Sequence, residues 1–149
     1  RRVHDVVDMN ELLRPRQAAE RIMALHLQKT GRSDNVALEA VEVFNKLIPG
    51  LASFIGDGGN LALIRRTLKL NEKKFPGLKT VWTCESLPDL LDSLSRLLQE
   101  QRETAGETAV ECLASYLELV SSFIGERLTW RVLRDIWPEL KTEVKELNI

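Results

Sequence analysis

The chain has 149 residues, 44% of them hydrophobic and 29% charged, with a formal net charge of −1. That length suits one domain with a sizeable core, and the composition excludes a disordered chain. Near-neutral charge removes any global pull toward nucleic acid or acidic lipid.

The two cysteines, Cys84 and Cys112, are too few and too far apart for a zinc site or a redox CxxC pair. They read as reduced, structural thiols of a cytoplasmic protein. No apolar run is expected to reach the roughly 18–20 residues of a membrane span. The chain opens Arg1-Arg2 without an initiator Met or a signal-peptide pattern, as a piece of a longer protein would.

In chain order, residues 1–10 read as loosely structured. A first helix is predicted from about Arg14 to Lys29, with Pro15 in its first turn and Ala18, Ile22 and Leu25 as its apolar stripe. His26 lies beside that stripe and reads as a boundary residue. Gly31 suits a left-handed cap, and Ser33 or Asp34 suits the start of the next helix. The second helix is predicted from about Asn35 to Phe54, because Val41, Phe44, Leu47, Ile48, Leu51 and Ile55 recur at three- and four-residue steps. Pro49 predicts a kink or break near Asn45–Pro49.

Gly56-Asp57-Gly58-Gly59-Asn60 is a turn, and a third helix follows over about 59–74, stopped by Phe75-Pro76-Gly77. Residues 78–85 read as a linker in which Val81 and Trp82 form a short extended stretch. Ser86, Pro88 and Asp89 mark a helix start, so a fourth helix is expected over about 87–102. Gly106 predicts the next boundary, followed by a fifth helix over about 107–123, a turn at Gly125 and a sixth helix over about 127–137. Leu140, Val144 and Leu147 give a short amphipathic tail after Pro138.

A shift of 69 positions lays Ala40-Val41-Glu42 on Ala109-Val110-Glu111 and Ser53-Phe54-Ile55-Gly56 on Ser122-Phe123-Ile124-Gly125. Between those anchors Phe44, Leu47, Ile48 and Leu51 fall on Leu113, Tyr116, Leu117 and Val120 without a gap. The Phe-Ile-Gly identity at one corner is more than shared amphipathicity supplies. The repeated units are about 14–76 and 86–137, with the tail at 138–149.

Motifs for chemistry are weak. The glycine-rich corner opens a helix, where backbone N–H groups can hold phosphate, but it lacks the Lys-Ser/Thr of a P-loop. Only Gly125 survives in the second copy, and Asp57 or Glu126 would repel an anion there. Arg65, Lys69 and Lys73 form a basic stripe without interleaved aromatics. Arg134 is the counterpart of Arg65, and Glu111 of Glu42. His4, Asp5 and Asp8 are too few for a metal site without a second nearby histidine. No nucleophile–base–orienter set and no pair of acids stands out, so a non-enzyme without cofactor or metal is expected.

The expected fold is an all-α bundle of about six helices, two pseudo-symmetric three-helix units plus a short C-terminal helix, in a single domain. The expected function is a non-catalytic protein–protein interaction or regulatory module, possible self-association included. Its partner-facing residues are expected among Trp130, Arg65, Lys69, Lys73, Arg134, Leu140, Val144 and Leu147. Two alternatives are a ligand-sensing bundle with an apolar cavity near Trp82, Phe44 and Leu113, and a nucleic-acid factor using the basic 65–79 helix. Trp137 is expected in the core, and Trp82 is expected to pin the two halves together. Nucleic acid is disfavoured as a partner, and no membrane is expected.

Overall fold

A computed structural model describes residues 14–31 and 35–140. Among them the chain forms six helices and no strand: α1 Pro15–Thr30, α2 Val36–Leu70, α3 Leu78–Trp82, α4 Leu87–Glu100, α5 Arg102–Ile124 and α6 Glu126–Ile136. The all-α bundle expected from the sequence is what these residues adopt.

Local signals explain most of the boundaries. Pro15 opens α1, and Gly31 closes it at φ 69, ψ 13 with its N–H on the Leu27 carbonyl, the left-handed cap a side chain would disfavour. Ser86 accepts a hydrogen bond from the Asp89 N–H at 3.2 Å and starts α4. The cap of α2 is Asn35, whose side chain accepts from the Leu38 N–H at 3.3 Å. Ser33 and Asp34 lie outside the described residues.

Three expectations are corrected. The backbone stays helical through Pro49, and the non-helical residue within α2 is Gly56. Pro49 and Asn45 are both exposed, so the ring meets solvent and the carbonyl it leaves unpaired can bond water. Residues 78–82 are helical rather than extended. Leu78 and Val81, three residues apart, are both fully buried on one face of α3, and among the described residues no strand stands beside them to pair with. Gly106 lies inside α5, and the break falls instead at Gln101 (φ −115, ψ 58). A Cβ at Gly106 would meet only the Val36 Cγ1, at 3.9 Å.

Asn60 Nδ2 donates to the Ile48 carbonyl at 3.2 Å. In a straight helix those residues would stand about 18 Å apart, so α2 is two arms folded back at Gly56. The corner angles there, φ 81 and ψ 163, nearly equal those of Gly125, φ 96 and ψ 153, between α5 and α6. Both lie in a region open essentially to glycine alone. Side chains at 69-residue spacing are buried together: Phe44 with Leu113, Leu47 with Tyr116, Leu51 with Val120, Ile64 with Leu133, Leu68 with Trp137. They belong to one continuous core cluster.

The first arm of α2 and α5 lie side by side. Asn35, Val36 and Ala37 line one cleft with Arg102 and Ala105, and further along the Phe44 and Tyr116 rings sit 5.8 Å apart. Two contacts advancing together along both helices mean that the helices run in the same direction. Both corners therefore lie at one end of the bundle. The α2 run does hold an 18-residue window of mean hydropathy 1.3, more apolar than the sequence reading allowed, but the chain folds back within that run.

Candidate functional site

The corner end carries the most exposed aromatic groups. Phe54 and Phe123, the counterparts in the two Ser-Phe-Ile-Gly corners, are 45% and 65% exposed. Each sits two residues before its corner glycine, where the helix runs out of neighbours to cover that face. Beside them Ile55 and Ile124 are half-buried, while Asp57 and Glu126 are exposed just past each glycine.

The opposite end holds a buried polar cluster. Glu39 and Glu42, three residues apart, lie on one face of the first turns of α2 and meet His26 from the last turns of α1. His26 Nε2 lies 2.9 Å from Glu39 Oε1 and 3.3 Å from Glu42 Oε1. The histidine and Glu39 side chains are 1% and 0% exposed, whereas Glu42 keeps 35% of its surface in solvent. His26 is thus a core residue and not a boundary one. The sequence signal that would have found it was present: His26 falls four residues after Ile22, on the apolar stripe itself.

A second buried polar link ties the two hairpins together. Tyr116 Oη donates to Asn60 Oδ1 at 2.5 Å, and Asn60 passes the chain of bonds on to the Ile48 carbonyl. Burial pushes the Tyr116 phenol well above its ordinary range, so it serves as a neutral donor. Burial likewise pushes the Cys112 thiol up to about 12, leaving it un-ionised and unreactive.

The residues expected to face a partner divide. Trp130 and Leu140 are each 1% exposed; they fill the core and are not surface anchors, because the amphipathic stripe of α6 and the following turn point them inward. Val144 and Leu147 lie outside the described residues, as do His4, Asp5 and Asp8. Arg65 Nε donates to the Trp82 carbonyl at 3.1 Å, and Lys69 Nζ stands 5.3 Å from the Trp82 ring centre. Arg134 stacks over Trp130 at 5.5 Å. Lys73 alone of this set is simply exposed. Trp82 Nε1 donates to Glu72 at 2.7 Å, so this indole fastens α3 to the end of α2. Trp137 is fully buried, as expected.

The counterparts Glu42 and Glu111 both meet α1, through different partners. Glu111 accepts from Arg16 and from Lys74 Nζ, the latter at 3.2 Å. The Arg16 guanidinium, helped by Lys74, holds the Glu111 carboxyl below the usual carboxylate range. Phe44 and Leu113 are packed in the core, and the described clefts are not lined by them or by Trp82.

No protein-family model, no curated protein and no solved structure matches this chain.

Proposed function

We propose that the chain is a non-catalytic helical interaction module, two copies of one hairpin packed about an approximate twofold axis, that docks another protein on its corner end. One observation carries this reading: Phe54 and Phe123 stand exposed at the same place in two matching corners, at the same end of the bundle. The shared corner angles and the matched burial of the core positions support the duplication.

Full burial of a phenylalanine gives roughly 1.5–3 kcal/mol, and at 45% and 65% exposure these two rings forgo about half of it. A single one is unremarkable on a protein surface. Two at equivalent positions, with half-buried isoleucines beside them, make a two-point apolar surface with acids at its edge. Partner burial of both rings supplies affinity, and the spacing of the two points supplies specificity. The basic stripe is a weaker candidate, since Arg65 and Lys69 are engaged with Trp82.

The test compares wild type with Phe54→Ser/Phe123→Ser. Light scattering follows self-association, and affinity capture from the native host followed by mass spectrometry reports other partners. The expected result is loss of the associated species with an unchanged helical spectrum and thermal midpoint. An identical solution mass and an identical set of captured proteins for both forms would remove the reading.

A further inference from the structure

We propose that His26, Glu39 and Glu42 form a binding site for one divalent first-row transition ion, of which Zn2+ is the working example. The ligand atoms of all three residues lie within 4.8 Å of one another. Around an ion with metal–ligand bonds of about 2.1 Å, neighbouring ligand atoms stand about 3.0 Å apart in octahedral geometry and about 3.4 Å in tetrahedral. The two separations from His26 Nε2, 2.9 and 3.3 Å, lie close to those two values.

Ligand chemistry points the same way. Imidazole nitrogen with two carboxylate oxygens is a ligand set suited to Zn2+, Mn2+ or Fe2+. A divalent ion at their meeting point would bond all three groups at once, and two of them, His26 and Glu39, are buried side chains. Glu42, 35% exposed, gives the ion a path from solvent and leaves room for water as a further ligand.

Two helices contribute the ligands, His26 from the end of α1 and the Glu39–Glu42 pair from the start of α2. An ion there would fasten this helix junction, at the end of the bundle remote from Phe54 and Phe123. The inference is therefore independent of the docking reading.

The experiment takes the whole chain, stripped with chelator, and titrates Zn2+ by calorimetry and Co2+ by visible absorption. The expected result is one ion per chain, a rise in thermal midpoint with Zn2+, and a Co2+ spectrum of nitrogen and oxygen ligation. Glu42→Gln, at a partly exposed position, should keep the helical spectrum and weaken Zn2+ affinity by at least about tenfold. His26→Gln should do the same where it folds. Phe54→Ser/Phe123→Ser should bind the ion as wild type does. The proposal is overturned by an absence of saturable binding, by equal affinity in wild type and Glu42→Gln, or by a thiolate charge-transfer band that places the ion on cysteine.

Discussion

At Gly56 and Gly125 the backbone turns through nearly the same angles, yet different side chains secure the two corners. In the first, Asn60 reaches back to the Ile48 carbonyl and receives the Tyr116 hydroxyl from the other hairpin. In the second, the counterpart Thr129 bonds only the Gly125 carbonyl at 2.8 Å within its own helix. Apolar bulk makes up the difference: buried Trp130 and Trp137 stand where the first hairpin has half-buried Leu61 and buried Leu68. The lesson is that a corner is held in common by its glycine and its buried stripe, while its polar or aromatic fastening can change. What both corners keep on the outside is the phenylalanine.

The largest expected effect lies in the second corner. Trp130→Ala should cost about 3–5 kcal/mol in urea unfolding, because a filled core site becomes a cavity. Leu61→Ala at the matching, half-buried place should cost well under that. Equal costs would break the contrast drawn between aromatic and polar fastening.

Next comes the polar link. Asn60→Ala strands the Tyr116 hydroxyl in the core and removes the second donor to the Ile48 carbonyl, and should cost about 2–3 kcal/mol, while Thr129→Ala should cost about 1 kcal/mol or less. Tyr116→Phe, which removes one of Asn60's two bonds, should fall between them. A reversed order would place the bridge between hairpins elsewhere.

The corner glycines should behave alike. A Cβ at either Gly56 or Gly125 meets nothing within 4 Å, so Gly56→Ala and Gly125→Ala should each cost about 1–3 kcal/mol through backbone strain alone. Unequal costs measured by thermal denaturation would mean that one corner relaxes.

The smallest effect concerns the paired acids. Glu111 is held ionised by Arg16 and Lys74, so its folded pKa lies below its unfolded one. The stability it contributes is present above the unfolded value, about 4.3, and is lost as pH falls through the lower folded value. Glu111→Gln should lower the thermal midpoint slightly at pH 7, with the difference from wild type vanishing in acid. A difference that persists in acid would assign Glu111 a packing role instead.

Much of this was legible in the chain. Helix caps are local chemistry, so Gly31 and Ser86 announce the ends they make, and Gly56 and Gly125 announce the corners. The apolar periods of α1, α2, α4 and α5 identified their inner faces. Context decided the rest. Pro49 reads as a breaker until its place on the solvent face is known, and Gly106 reads as a boundary until Val36 is found beside it. The burial of His26 could be read from its place four residues after Ile22, but its pairing was hidden, because Glu39 and Glu42 come from another helix and only the packing of α1 on α2 unites them. Trp130 was expected at the surface for a related reason, since an indole serves a core or an interface equally well and the choice depends on which way α6 faces.

The shared end of the two corners is the point on which the docking surface rests, and a distance between spin labels measures it. Labels on Phe54→Cys and Phe123→Cys, in a background with Cys84→Ser and Cys112→Ala, should report a separation below about 25 Å, as for neighbouring helices packed about 10 Å apart. A separation beyond about 30 Å, the length of a 20-residue helix, would put the corners at opposite ends and contradict the account.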